Sequence, residues 1–126
     1  MRIILTLTAR AAVLALGFLF VPLGAWTLPV RSQEPRQITV KARKYQFDPA
    51  RIEVKAGEPV VITFVSEDGS HGFGCKGLKL HTDTFKEDQP EKVTFTASTP
   101  GTYEFKCAHI CGTGHHKMKG EIVVVP

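Results

Sequence analysis

Apolar residues recur at alternate positions six times between residues 37 and 126: Ile38 and Val40, Ile52 and Val54, Ile62 and Phe64, Val93 and Phe95, Tyr103 and Phe105, Ile122 and Val124. Side chains two apart share one face of a β-strand, whereas a helix turns once in about 3.6 residues, so each pair marks a half-buried strand. Turn chemistry separates them at Asp48-Pro49, Ala56-Gly57-Glu58-Pro59, Asp68-Gly69 and Thr99-Pro100-Gly101. Short strands with regular turn signals predict an all-β sandwich or barrel, with no amphipathic helix, internal repeat or low-complexity tract. Some 90 residues bury only a modest core, which a metal clamp would help to stabilise.

The beginning of the chain follows other rules. Arg2 and Arg10 precede Ala11–Val30, twenty residues without a charge. That is about the length of a helix that spans a bilayer. It also suits a long signal peptide, although cleavage after Ala25 would place Leu23 at a position that wants a small residue, and Pro22 interrupts the run. Both readings stand, and either one predicts an exported domain. We therefore divide the chain into a signal peptide or membrane anchor (residues 1–30), a polar linker (31–36) and one domain (37–126). The whole chain carries 16 Lys and Arg against 12 Asp and Glu; without Arg2 and Arg10 the balance is 14 against 12, or +2. The lysines are scattered among acids, which excludes a nucleic-acid-binding surface.

The residues that carry chemistry lie together. Cys107-Ala-His-Ile-Cys111-Gly-Thr-Gly-His115-His-Lys-Met118 reads as C-x3-C-x3-H-x2-M, two thiols, an imidazole and a thioether in one loop. Thiolate and thioether are soft donors that favour copper among the first-row metals, and imidazole suits copper as well. Another imidazole, His71, precedes Gly72 and Phe73. Phe105 and Cys107 share strand parity, so the face that buries Phe105 turns Cys107 inward, and Gly112 and Gly114 let the loop turn sharply enough to bring His115 and Met118 back. Three cysteines is an odd number, which suits two metal ligands and one spare better than a disulfide framework. A Cys107–Cys111 disulfide remains the simpler alternative, and a zinc site would more usually show C-x2-C pairs and no methionine. Cys75 shares parity with His71 and Phe73 and reads as a buried free thiol. His81 and His116 read as surface residues. No Ser-His-Asp set or carboxylate pair of recognisable spacing is present.

These residues resemble the copper A (CuA) domain of haem-copper (cytochrome c) oxidase subunit II, most closely the short one-helix B-family type. The similarity runs from about Gln37 to Pro126 and includes Phe47-Asp-Pro-Ala-Arg-Ile52-Glu-Val54-Lys-Ala-Gly57, His71-Gly-Phe73 and Thr99-Pro-Gly-Thr-Tyr103-Glu-Phe105. It implies a cupredoxin-like Greek-key β-sandwich preceded by one N-terminal hydrophobic helix. It implies two copper ions bridged by Cys107 and Cys111, with His71 and His115 binding one ion each, Met118 as thioether ligand and His109 supplying its backbone carbonyl. The implied role is electron transfer on the periplasmic side of the inner membrane, from cytochrome c or a similar small donor to the haem-bearing subunit I, with no catalysis by this chain alone. Some departures are plain. His109 stands where many relatives have a glutamate that also serves a magnesium site, so no such site is expected. The only tryptophan, Trp26, lies in the leader, so the tryptophan patch many relatives use for electron uptake is missing. Competing readings are a free-standing copper shuttle or copper-delivery protein and a mononuclear blue copper site of His71, Cys111, His115 and Met118.

Overall fold

A computed structural model describes Gly24 and residues 28–126 of the chain; the hydrophobic helix expected in the leader lies outside the described residues. The unit from Arg31 to Pro126 is built from nine strands: β1 (Arg36–Arg43), β2 (Gln46–Asp48), β3 (Arg51–Lys55), β4 (Pro59–Ser66), β5 (Gly74–Cys75), β6 (Leu80–His81), β7 (Glu91–Thr96), β8 (Gly101–Lys106) and β9 (Lys119–Val125). Among the described residues the only helical pieces are two three-residue 3₁₀ turns, Lys76–Leu78 and His115–Lys117. All six alternating pairs fall in strands, namely β1, β3, β4, β7, β8 and β9.

One sheet has the order β2-β1-β4-β7 and the other β3-β9-β8-β5-β6. Two of the pairings are parallel: β1 runs beside β4 from Arg36↔Val60 to Ala42↔Ser66, and β3 beside β9 from Arg51↔Glu121 to Lys55↔Val125. β9 begins at Lys119 because Lys119 and Gly120 already pair with Lys106 and Phe105.

The period-two pattern places the core between the sheets. Val40 and Ala42 of β1 and Val60, Ile62 and Phe64 of β4 face Ile52, Val54, Phe105, Ile122 and Val124 of the second sheet, all buried. Towards one end the core is aromatic. Phe64 stacks on Phe73 with centroids 4.4 Å apart, Phe73 lies 5.3 Å from Phe105, and Phe105 meets Phe47 edge-on at 5.1 Å. Such pairs add specific geometry to the burial of large apolar areas. Phe73 follows His71 by two residues and Phe105 precedes Cys107 by two, so this aromatic cluster is the floor from which both donor-bearing segments rise.

Candidate metal centre

Backbone pairing fixes the donor segments before any metal is considered. His71 and Phe85 exchange two hydrogen bonds, N–H to O at 3.0 Å and 2.9 Å. The Ala108 N–H donates to the Gly72 carbonyl at 3.2 Å, and the Cys107 N–H donates to the Met118 carbonyl at 3.0 Å. The start of the Cys107–Met118 loop, its end and the His71 segment are therefore stitched together at one end of the sandwich.

Between them the donors converge. The His71 ring, Cys107 and Cys111 bring their donor atoms within 4.8 Å of one another. The Cys107 and Cys111 sulfurs are 3.7 Å apart, Cys107 Sγ is 4.0 Å from His71 Nδ1, and Cys111 Sγ is 3.8 Å from His115 Nδ1 and 3.7 Å from Met118 Sδ. The Cys107 thiol donates to the His109 carbonyl at 3.0 Å, so the backbone oxygen expected at this position faces the cluster. Two donors each about 2.0–2.3 Å from one ion lie about 3.3–3.8 Å apart at a tetrahedral angle. The observed separations need only small closures, and the donor set is soft throughout; the residues fit a soft metal ion. His71 and Met118 are fully buried and Cys107 nearly so.

The loop's spacing has a mechanical reason that the residue pattern alone does not reveal. His115–Lys117 form a 3₁₀ turn closed by the Met118 N–H donating to the His115 carbonyl at 3.1 Å. Side chains three apart eclipse on a 3₁₀ turn, so the x2 spacing sets His115 and Met118 on the side of Cys111. His116 points away and is exposed, as is His81, while Cys75 is a buried free thiol. Gly112 has φ +142°, as the sharp turn requires, but Gly114 does not: its φ is −89°. What Gly114 supplies is space, because the Tyr45 ring lies against it.

Asp68, read from sequence only as half of a turn, is the main omission. His71 Nε2 lies 2.9 Å from Asp68 Oδ1 and 2.8 Å from the Asp68 carbonyl oxygen. Both partners are acceptors, so Nε2 carries the proton and Nδ1 is left with its lone pair towards the sulfurs. Asp68 is itself held by the Lys44 N–H, 3.0 Å from each carboxylate oxygen. Burial works against its charge, yet the hydrogen bonds from Lys44 and His71 hold its carboxyl below the usual carboxylate range. A carboxylate behind a histidine fixes ring orientation and raises donor strength; the D-x-x-H spacing was the available signal. At the other sulfur, burial first, then the hydrogen bond and charge of Cys107, push the Cys111 thiol up to about 11.

Known proteins resemble this chain in fold and sequence. Residues 10–124 match the family described as cupredoxin-like domain. Cytochrome c oxidase subunit 2 of Thermus thermophilus is 33% identical over 106 residues, which cover 80% of this chain and 78% of that protein. The same subunit from a named strain of that organism is also 33% identical over 106 residues, covering 80% of this chain and 62% of its own length. A haem-copper terminal oxidase dimer solved by cryo-electron microscopy contains a chain that superposes with TM-score 0.64 and 26% identity over 75% of this chain and 68% of that one. Auracyanin A, a blue copper protein of Chloroflexus aurantiacus, shares the fold with TM-score 0.58 and 23% identity over 73% of this chain and all of its own.

Proposed function

The chain belongs to the cupredoxin-like family, on the cytochrome c oxidase subunit 2 side of it, and from that premise we propose that its donor cluster holds a binuclear copper centre used for electron transfer. In this reading Cys107 and Cys111 would be shared by the two ions, His71 and His115 would each hold one, and Met118 and the His109 carbonyl would be weaker ligands. The observation that carries it is the arrangement of imidazoles about the sulfur pair. His71 reaches Cys107, whereas His115 reaches Cys111 and stands outside the group that His71 forms with both cysteines. One imidazole at each end of a thiol pair suits two ions better than one.

When bound, the copper pair supplies one-electron exchange with the unpaired electron shared over both ions. The protein's task is to keep the ligand geometry the same in both redox states. The Phe47, Phe64, Phe73 and Phe105 cluster holds the donor segments from below, the backbone bonds around His71 and Cys107 hold them at the rim, and burial of His71, Cys107 and Met118 limits solvent reorganisation. The raised Cys111 thiol keeps its proton at neutral pH until a metal displaces it. Electrons arrive, in this account, from a small donor such as cytochrome c on the periplasmic side and leave to a haem-bearing oxidase subunit I. Residues 11–30 serve as membrane anchor or signal.

Two substitutions probe the ligands' unequal roles. Asp68→Ala frees the His71 ring, and copper affinity measured by chelator competition should fall about 10–100-fold. Met118→Leu is a volume-conserving change that should cost the fold less than about 1.5 kcal/mol. It should retain copper and move the reduction potential measured by voltammetry, because a weak thioether ligand would tune more than it binds. Loss of all copper from a folded Met118→Leu protein contradicts that ranking.

The placement in an oxidase is tested by fractionation with N-terminal sequencing. A mature chain that keeps Ala11–Val30, stays in the membrane and co-purifies with a haem protein that oxidises reduced cytochrome c supports the proposal. A mature chain that begins near Trp26 and is free in the periplasm refutes the integral-subunit role.

A further inference from the structure

The turn between β1 and β2 touches both halves of the donor set, although it contributes no donor itself. On one side the Lys44 N–H grips the Asp68 carboxylate, which in turn fixes the His71 ring. On the other side the half-buried Tyr45 ring lies against the ligand loop. Its hydroxyl is 3.5 Å from Thr113 Oγ1, and a methyl group built on Gly112 would come 2.5 Å from the Tyr45 Oη. A methyl group on Gly114 would fall among the Tyr45 ring atoms Cγ, Cδ2 and Cε2. The loop between Cys111 and His115 is thus in direct contact with an aromatic plate at both of its glycines.

We propose that Tyr45 is a positioning residue for the metal centre: its ring braces the Cys111–His115 loop, while the preceding residue braces His71 through Asp68. The inference rests on the copper reading above for its function but on packing alone for its mechanism. Within residues 111–115 the backbone makes one internal hydrogen bond, from the His115 N–H to the Gly112 carbonyl at 3.2 Å, while the Gly114 and His115 carbonyls accept from the Lys117 and Met118 N–H groups of the following turn. A loop so sparsely bonded within itself keeps a fixed shape only if something outside it sets that shape. Tyr45 is the side chain that meets Gly112, Thr113 and Gly114 together.

The test uses the full chain, with and without Cu(II) and reductant. Tyr45→Ala should raise amide hydrogen exchange across residues 108–117 of the metal-free chain, and should speed copper loss to a chelator by about 10-fold. Tyr45→Phe, which keeps the ring, should behave like the parent. Gly114 offers a sharper probe because its backbone (φ −89°, ψ 7°) is one that alanine adopts in turns, so the Tyr45 ring is the obstacle. Gly114→Ala should disturb the loop in the parent chain and do so far less in the Tyr45→Ala background. If Tyr45→Ala does not fold, Tyr45→Leu, which keeps apolar volume without a planar plate, takes its place in both comparisons. Unchanged loop exchange in Tyr45→Ala overturns the proposal, as does a Gly114→Ala effect of equal size in both backgrounds. Neither readout on the metal-free chain depends on copper. A parent chain that binds no copper therefore sinks the copper reading while leaving the bracing role to be decided by exchange and coupling.

Discussion

Serine in place of Cys107 or Cys111 is expected to abolish the binuclear centre, with copper content falling from two ions per chain to one or none. A hydroxyl is a hard donor that stays protonated where a thiol can become thiolate, and it does not bridge soft ions. The steric change is small, a hydroxyl being somewhat smaller than a thiol, and the Cys107 position has the His109 carbonyl 3.0 Å away to accept a hydroxyl hydrogen bond. The metal-free variants should therefore unfold close to the parent temperature while the metal analysis differs sharply. Retention of both ions by either serine variant would remove the bridging role. The same substitution at Cys75, which lies outside the converged donor group, should leave copper content unchanged.

The second large effect concerns the floor of the site. Phe105→Ala should destabilise the domain by about 3–5 kcal/mol, the usual range for deleting a buried phenylalanine ring. Its ring is fully buried and packs on both Phe47 and Phe73, so little is available to collapse into the space without disturbing the aromatic cluster. Domains of this size have a total stability of about 5–15 kcal/mol, and each kcal/mol shifts the midpoint by about 4–8 °C. Thermal unfolding should thus move down by on the order of 12–40 °C. Phe95→Ala on β7, where the ring is only half-buried, is the control and should cost clearly less. Equal losses at the two positions would mean that the cluster beneath Cys107 has no special part in holding the fold.

The strands that alternation revealed are those with one face in the core and one in water; for these, burial leaves a period in the sequence. β2, β5 and β6 are two or three residues long, too short to repeat anything, and none of them was legible. The parallel pairings β1–β4 and β3–β9 were equally hidden, because register between distant segments is set by packing of the whole and not by either strand. Within the site, residue type singled out His71, Cys107, Cys111, His115 and Met118, and these side chains converge; the His109 carbonyl beside them was implied by the resemblance alone. Their supports were not legible. Asp68 and Tyr45 act through contacts made across the fold, 24 residues separating Asp68 from Lys44 and 68 separating Tyr45 from Thr113. An aspartate before glycine signals a turn equally well whether or not a histidine ring rests on it. Gly114 shows the same limit: its residue type was noticed, but the reason is the space taken by Tyr45 and not its own backbone angle.

A binuclear centre requires that two ions share this thiol pair. It is tested most directly by loading the chain with copper, measuring the copper-to-protein ratio, and recording the electron paramagnetic resonance spectrum of the same sample. Two coppers per chain in a mixed-valence state are expected, with hyperfine structure from one unpaired electron spread over two copper nuclei. One copper per chain, with the hyperfine pattern of a single nucleus, would contradict this expectation and assign His71, Cys111, His115 and Met118 to a mononuclear blue copper site.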